Sequence, residues 1–233
     1  MKKQKLRVGV LLPAAGEGRR MGMNVPKQYL HLHGKPLLVH TVLHFERCEE
    51  IDDIVIIVSK GFENRVRRYV KKYSLKKVRS VVTGGERRQD SVANGWQDLK
   101  KYFPEIILVH DAVRPLITEK LIQAVIFSAK KFGAAVPVIQ ENNTMCVMGK
   151  GNVVSGYLSR EKMRIIQTPQ GFKKEIFVKS LQNAIAKKTA ATDESSLVFQ
   201  AGYPVKAVEG LRLNIKLTTK EDLLIIKNIL RTQ

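Results

Sequence analysis

Short apolar runs rich in Val and Ile alternate along this chain with segments in which apolar residues recur every three or four positions. The short runs predict β-strands at residues 7–12, 54–59, 79–83, 106–110, 134–139, 165–168, 205–208 and 213–217. The periodic segments predict helices at residues 36–48, 62–73, 89–102, 119–132 and 174–187. Thr118 is expected to cap the fourth of these helices, and Thr219 with Asp222 forms a capping-box pattern before a last apolar segment. Strands that alternate with amphipathic helices are typical of βαβ units, so we predict an α/β fold whose mostly parallel sheet is flanked by helices.

One segment departs from this alternation. Two β-like stretches, residues 144–148 and 153–158, are joined by Gly149-Lys150-Gly151-Asn152, which is a hairpin pattern. Strands that project from a sheet leave unpaired edges, and such edges can pair with another copy of the chain. We therefore predict one domain over residues 1–233, with a projecting β-arm at about 141–162 whose edges can pair with a second copy.

The composition indicates a globular protein, because 44% of the 233 residues are hydrophobic. Two cysteines, Cys48 and Cys146, lie far apart without C-x-x-C spacing, which argues against a disulfide framework or zinc ribbon and favours a reducing compartment. The apolar run at 8–12 ends at Pro13, so we interpret it as a first strand and not as a signal peptide. No stretch approaches the roughly 18 apolar residues that cross a bilayer. We expect a cytoplasmic protein with no membrane partner.

The net charge of +20 is the unusual bulk property and suits an anionic partner. Nucleic acid, an anionic membrane and phosphorylated small molecules all qualify by charge alone. The basic pairs are spread along the chain at helical spacing, so most of them are interpreted as solvated outer faces. Aromatic residues make up only 6% of the chain, none interleave the basic runs, and no nucleic-acid motif is present. We therefore expect no nucleic-acid partner.

The segment after the first predicted strand carries glycines and cations typical of a nucleoside triphosphate site. Glycines allow backbone N–H groups to approach phosphate oxygens closely. Three cations follow: Arg19, Arg20 and Lys27. The spacing of Gly16, Gly18 and Gly22 fits neither the dinucleotide fingerprint nor the Walker loop. A surface loop with solvated basic residues is the alternative interpretation of this segment.

Two further clusters follow predicted strands, and ligands of open parallel sheets bind beyond the carboxyl ends of strands. In the first, Gly84 and Gly85 would let the backbone approach a flat base, and Ser91 adds a hydroxyl. In the second, Asp111 is a candidate ligand for an Mg²⁺ ion that also binds phosphate oxygens. Arg114 in the same cluster is a candidate to bind a second phosphorylated substrate. A turn aspartate bonded to its own backbone is the alternative for Asp111. Glycines, cations and one carboxylate favour phosphoryl or nucleotidyl transfer.

Seven segments, in order along the chain, resemble the 2-C-methyl-D-erythritol 4-phosphate cytidylyltransferase family. They are residues 13–21, 26–30, 84–92, 109–115, 168–170, 192–194 and 208–216. The resemblance implies a Rossmann-like nucleotidyltransferase sheet and transfer of a cytidylyl group from CTP to 2-C-methyl-D-erythritol 4-phosphate. The expected products are 4-diphosphocytidyl-2-C-methyl-D-erythritol and pyrophosphate, in the non-mevalonate route to isoprenoid precursors. A cytidylyltransferase for ribitol 5-phosphate and a basic nucleic-acid-binding module are the alternatives.

The resemblance also implies roles for residues at matching positions. Arg20 and Lys27 would stabilise the transition state, and Arg160 and Lys216 would position the acceptor phosphate. Substrate-binding positions would be Pro13, Ala14, Ala15, Gly16, Gly18, Arg19, Gly84, Gly85, Arg87, Ser91, Ala112, Arg114, Thr144, Thr168 and Thr192. Asp111 would lie near Mg²⁺, and the arm of a homodimer would reach the partner's active site.

Two positions depart from the pattern that the resemblance predicts. The family's usual Asp-Thr step reads Asn143-Thr144 here, and its Asp-Arg step reads Ser159-Arg160. The departures remove two negative charges near the expected phosphate site. We expect the chemistry to survive them, with any effect falling on the arm and on acceptor affinity.

Overall fold

The structure is a computed structural model that describes residues 6–16, 25–187 and 191–232. Its strands are β1 (Val8–Ala14), β2 (His31–Leu32), β3 (Lys35–Pro36), β4 (Asp53–Val58), β5 (Val78–Thr83), β6 (Ile106–Val109), β7 (Ala134–Gln140), β8 (Met145–Met148), β9 (Val154–Leu158), β10 (Arg164–Ile166), β11 (Gln170–Lys173) and β12 (Lys206–Glu209). Its α-helices are α1 (Leu37–Arg47), α2 (Glu63–Lys72), α3 (Arg88–Leu99), α4 (Glu119–Phe132), α5 (Lys174–Ala186), α6 (Glu194–Gln200) and α7 (Lys220–Arg231).

An eight-stranded sheet organises the molecule, in the order β10-β7-β11-β6-β1-β4-β5 with β12 beside β7. The pairs β6–β1, β1–β4, β4–β5 and β12–β7 are parallel, whereas β11 runs antiparallel to both β6 and β7. The strand β10 is also antiparallel to β7. The predicted α/β fold with a mixed, mostly parallel sheet is therefore confirmed.

Both faces of the central strands are buried, which explains their continuous apolar sequences. Val10 and Leu12 of β1 pack on one face in a cluster with Phe45 of α1. Leu11, which points to the opposite face, lies in a cluster with Trp96 of α3. Each fully buried side chain of this kind stabilises the fold by about 1.5–3 kcal/mol. The layers on both faces leave the ends of the strands as the place where polar groups gather.

Most predicted elements are confirmed, with shifts of a few residues at their ends. Thr118 Oγ1 accepts a hydrogen bond from the Leu121 N–H and caps α4. Thr219 and Asp222 form the predicted capping box of α7. Residues 100–102, expected as the end of a helix, form a separate 3₁₀ turn after α3.

The strand predicted at 213–217 is wrong. A turn bonded from the Asn214 N–H to the Leu211 carbonyl precedes it, and the segment runs on as a loop. This loop is attached by the Leu217 N–H, which donates to the Val113 carbonyl (2.9 Å), and not by a ladder of strand bonds. Its apolar residues pack beside α7 and not within the sheet, which explains the misleading pattern.

The strand β11 and the short helix α6 were not predicted. The sequence of β11, Gln-Gly-Phe-Lys, has no apolar run. Gly171 lets this strand approach α4, because a Cβ there would lie 2.7 Å from Val125 Cγ1. The seven residues of α6 start at the cap Asp193, which accepts from the Ser196 N–H, and are too few to show a helical period.

The predicted hairpin is confirmed as a separate two-stranded sheet of β8 and β9. Its strands pair with each other in antiparallel register, with Met145 opposite Leu158. Tyr157 in β9 is 74% exposed. The organisation as one domain with an arm at about 141–162 stays a prediction. Among the described helices, each falls short of the length and apolar character required to span a bilayer.

Candidate active site

A cleft of about 890 Å³ opens at the carboxyl ends of β1, β4, β5 and β6. Because parallel strands present these ends at one edge, segments distant in the sequence meet here. The lining residues are Pro13, Ala14, Ala15, Gly16, Lys27, Gln28, Ser59, Lys60, Thr83, Gly84, Gly85, Glu86, Arg87, Arg88, Ser91, Asp111, Val113 and Lys216. Most of the site residues predicted from the sequence are therefore brought together in the cleft.

Gln28 joins the end of β1 to the turn that carries Lys27. The buried Gln28 amide donates to the carbonyls of Ala14 (2.7 Å) and Gly16 (3.0 Å). The Lys27 ammonium consequently lies at the cleft, where it donates to the Leu217 carbonyl at 2.5 Å. Sequence reasoning assigned no role to Gln28, although it follows Lys27 directly within a matching segment.

Three predicted residues of the glycine-rich segment lie outside the described residues. They are Gly18, Arg19 and Arg20. On the described side of this segment, Gly16 has open space where a side chain would stand. The predicted roles of the three residues stay predictions.

Gly84 and Gly85 form a stretch of the cleft lining without side chains, here called the glycine wall. A Cβ on Gly84 would lie 2.7 Å from Ser91 Oγ and 2.9 Å from Ala15 Cβ, and one on Gly85 would lie 2.5 Å from Asp90 Cβ. Ser91 Oγ accepts a hydrogen bond from the Gly85 N–H (3.0 Å) and fixes the turn against α3. Glycine is required at both positions because any larger residue would displace these neighbours. The resulting flat surface suits a planar ring.

Asp111 lies at the centre of a group of cations, here called the Asp111 cluster: Asp111, Arg88, Arg114 and Lys216. Its Oδ1 is 2.6 Å from Arg88 Nη1, and its Oδ2 is 3.0 Å from Lys216 Nζ and 3.3 Å from Arg114 Nε. Burial alone would raise the pKa of Asp111, but Arg88, Lys216 and Arg114 outweigh it and hold this pKa well below its usual range. The carboxylate is therefore ionised and holds three cations of the site in place. The Asp111 carboxylate bonds to three cationic side chains, which disagrees with the alternative of a turn aspartate bonded to its own backbone.

Arg88 is the contact that the sequence analysis missed. It bridges Asp111 and the buried Glu194, whose Oε2 lies 2.8 Å from Arg88 Nη2. Burial raises the pKa of Glu194, and the Arg88 charge opposes that rise. The predicted residue Arg87 lines the cleft as well, but its side chain is 54% exposed and pairs with Asp90 at the start of α3. Two adjacent arginines opening a helix were the only signal in the sequence.

Ala112 and Thr168, predicted to bind substrate, are buried behind the cleft and do not line it. Thr168 Oγ1 accepts a hydrogen bond from the Asp111 N–H (3.1 Å). The Ala112 carbonyl accepts from Thr41 Oγ1 (2.9 Å). In this structure both residues support the backbone that carries Asp111.

Three other predicted residues lie away from the cleft of their own chain. Thr144, Arg160 and Thr192 are exposed and are absent from its lining. The Arg160 guanidinium donates to the Asn142 carbonyl at 3.4 Å, across the base of the hairpin. Within one chain, the described residues therefore supply Lys27 and Lys216 to the cleft but not Arg160.

Asp111 is a carboxylate of the cleft that can hold a divalent cation. A carboxylate offers about four lone-pair sites, and the contacts to Arg88, Lys216 and Arg114 engage three of those on Asp111. One oxygen site remains, which fits an ion bound by one carboxylate together with phosphate oxygens. In the described part of the chain, the one group of three potential ligands within reach of a shared ion is Cys48, Glu50 and Glu119, and none of these lines the cleft. Burial raises the pKa of the Cys48 thiol to about 12, so it serves as a donor to Glu50 (3.2 Å).

Comparisons with known proteins agree with this geometry. The family model for 2-C-methyl-D-erythritol 4-phosphate cytidylyltransferase matches residues 8–232. The protein of that name from Alkaliphilus metalliredigens is 40% identical over 225 residues, covering 96% of this chain and 93% of its own length. The one from Syntrophus aciditrophicus is 37% identical over 230 residues and covers 98% of both chains.

Solved structures carry the same fold. The 4-diphosphocytidyl-2C-methyl-D-erythritol synthase of Anaerococcus prevotii superposes with a TM-score of 0.85 at 28% identity, covering 97% of each chain. The 2-C-methyl-D-erythritol 4-phosphate cytidylyltransferase of Thermus thermophilus gives a TM-score of 0.78 at 31% identity, covering 97% of this chain and 100% of its own. Sequence, fold and the residues gathered in the cleft agree: this chain belongs to the 2-C-methyl-D-erythritol 4-phosphate cytidylyltransferase family.

Proposed function

We propose that this chain transfers the cytidylyl group of CTP to 2-C-methyl-D-erythritol 4-phosphate in the synthesis of isoprenoid precursors. The products are 4-diphosphocytidyl-2-C-methyl-D-erythritol and pyrophosphate. The observation that carries the proposal is the Asp111 cluster, set beside Lys27 and a glycine wall at one end of the sheet. Such a site combines a flat surface for a base with cations for two phosphorylated ligands. Membership of the family supplies the identity of the ligands.

The reaction joins two anions that repel each other. A phosphate oxygen of the acceptor attacks the α-phosphorus of CTP, the bond to the β-phosphate oxygen breaks, and pyrophosphate leaves with the electron pair. The attacking oxygen is already anionic, so the site needs no strong general base. Catalysis then depends on charge neutralisation and in-line alignment, and alignment can lower a barrier by roughly 7–11 kcal/mol.

Lys27 and the Asp111 cluster divide this work in the proposal. Lys27, fixed by Gln28 beside the end of β1, faces the triphosphate. Lys216 lines the cleft and receives the acceptor phosphate, because Asp111 engages one of its three N–H groups. Arg114 does not line the cleft, but it contacts the same Asp111 oxygen as Lys216 and assists by holding Asp111 and the Asn214 carbonyl in place.

Mg²⁺ is part of the proposal as a companion of the triphosphate. The oxygen site that remains on Asp111 would hold it, together with phosphate oxygens. When bound, the ion would neutralise charge on the phosphates. Asp111 suits this task because the neighbouring cations keep it ionised.

A homodimer completes the proposed site. Thr144 and Arg160 lie at the base of the hairpin, away from their own cleft, so the arm of a second copy would bring them to it. The hairpin and the adjoining β10 expose apolar side chains that a partner could cover: Val147, Met148, Val153, Val154, Tyr157, Leu158, Ile165 and Ile166. The cytoplasmic location expected from the cysteines stays part of this proposal.

Ribitol 5-phosphate as acceptor and nucleic acid as ligand are not favoured, since the family model and the named relatives agree on the methylerythritol compound. Pyrophosphate release with each of four nucleoside triphosphates, against methylerythritol phosphate and ribitol 5-phosphate, tests the proposal. We expect release with CTP and the methylerythritol compound. Release with the ribitol compound alone would refute the acceptor, and no release with CTP would refute the nucleotide.

A further inference from the structure

We propose that His110 is a positioning residue whose two ring nitrogens orient Asp111 and Arg114 separately. The inference rests on the proposed function for the tasks of those two residues. His110 itself is fully buried and lines no part of the cleft. Its effect is therefore exerted through the groups that it holds.

The two nitrogens contact different parts of the site. Nδ1 lies 3.0 Å from Thr168 Oγ1, and the same Oγ1 accepts the Asp111 N–H at 3.1 Å. Nε2 lies 3.2 Å from the Arg114 carbonyl. One ring thus reaches the backbone of both Asp111 and Arg114, which are three residues apart in a turn.

The chemistry of the partners fixes the protons. A carbonyl only accepts, so Nε2 carries the hydrogen that is donated to Arg114. Nδ1 then has a free lone pair and accepts the hydroxyl hydrogen of Thr168. This leaves an oxygen lone pair on Thr168 for the Asp111 N–H, so every group in the chain of contacts has a partner. The arrangement selects one neutral tautomer of His110.

The same contacts extend to the loop that carries Lys216. The Asn214 side-chain amide donates to the Thr168 carbonyl at 2.7 Å, and Arg114 Nη1 donates to the Asn214 carbonyl at 2.7 Å. Hydrogen bonds therefore link the ring to Thr168, Asn214 and Arg114. A shift of about 1 Å at a reacting group can cost 100-fold in rate, so small displacements behind the cleft are measurable.

Two substitutions separate the two nitrogens. His110→Asn can keep an acceptor near Nδ1 but cannot reach the Arg114 carbonyl. His110→Gln can keep a donor near Nε2 but offers no acceptor to the Thr168 hydroxyl. We expect His110→Asn to raise the KM for the acceptor about tenfold through Arg114, with a smaller change in kcat. We expect His110→Gln to lower kcat at least tenfold through Asp111, with a smaller change in acceptor KM.

A matched control is His40→Gln, since His40 Nε2 also bonds a backbone carbonyl, that of Leu32 at 2.8 Å, outside the cleft. Its constants should equal those of the wild type. A purely structural role predicts that both His110 variants lose activity equally and in proportion to the drop in melting temperature. That result would overturn the inference. Unchanged constants in folded variants would overturn it too.

A second readout does not depend on turnover. Nitrogen NMR of the histidine rings, of which the chain has five, identifies the protonated nitrogen of each. We expect His110 to carry its proton on Nε2. This signal should be the same in the free protein and in the presence of substrate. A proton on Nδ1 would refute the inference whatever the activity. Wild-type protein that is inactive with CTP and every acceptor would refute the proposed function instead.

Discussion

The Asp111 cluster and the β8–β9 hairpin are opposite kinds of structure within one chain. In the cluster, the buried Asp111 carboxylate meets cations that follow the ends of β5 and β6 and one from the loop at Lys216, at distances of 2.6–3.3 Å. The hairpin forms a sheet of its own, and Tyr157 on it is 74% exposed. The cluster is complete within one chain, whereas the residues that the hairpin was predicted to contribute lie away from the cleft. The comparison indicates that one chain supplies Lys27 and the Asp111 cluster to its own cleft. The proposed dimer would add the residues of the hairpin from the partner.

The largest effect on turnover should come from the residues that one chain supplies to its own cleft. Lys27→Ala is expected to lower turnover at least about a hundredfold, because removing one preorganised charge donor costs about 3–4 kcal/mol by analogy with oxyanion sites. The same loss is expected for Arg20→Ala. Steady-state pyrophosphate release measures it, and Lys76→Ala, an exposed lysine outside the cleft, is the control. Near-normal turnover in a folded Lys27→Ala protein would contradict a catalytic role for Lys27.

The next effect tests whether the hairpin serves a partner. Arg160→Ala is expected to lower turnover at least about tenfold, because a charged contact to phosphate is worth roughly 1.5–3 kcal/mol. Mixing this variant with Lys27→Ala should then restore activity, since a mixed dimer has one cleft with both residues intact. With free exchange of subunits, roughly a quarter of wild-type activity should return. An inactive mixture that size-exclusion shows to exchange would contradict the shared site.

A smaller effect concerns how the free energy of unfolding depends on pH through Asp111. The folded-state pKa of Asp111 is depressed, so its contribution is present above its unfolded pKa of about 3.9 and is lost as pH falls below that value. Asp111→Asn should flatten the loss of stability between about pH 4 and pH 2. Urea unfolding at several pH values measures this slope. An unchanged slope would mean that the three cations do not stabilise the carboxylate.

The smallest effect concerns the two departures from the family pattern. The double variant Asn143→Asp with Ser159→Asp restores two exposed charges, and exposed charges contribute only about 0–1 kcal/mol. We expect kcat to stay within about twofold and acceptor KM to change by no more than about fivefold. A tenfold change in kcat would show that these positions act on the chemistry itself.

The sequence predicted the fold and most of the cleft, for reasons that particular residues make clear. The strands β1 and β4 are continuous apolar runs, and Gly84 and Gly85 mark a close approach of backbone. Residues that act through long-range contacts gave no local signal. Arg88 is distinguished from Arg87 only by the direction in which the start of α3 points it.

The same limit explains the errors elsewhere. The segment 213–217 alternates like a strand, yet its partners are a carbonyl of the Asp111 turn and a guanidinium, which no local pattern reveals. The role inferred for His110 depends on Thr168, 58 positions away in the chain. Tertiary contacts, and not periodicity, decide such places.

The central claim is that Lys27, the glycine wall and the Asp111 cluster hold the nucleotide and align it for transfer. A crystal structure of the protein with CTP and Mg²⁺ tests this most directly. We expect the base against Gly84 and Gly85 and the triphosphate within hydrogen-bond distance of Lys27. A nucleotide bound elsewhere on the molecule, with this cleft empty, would contradict the account.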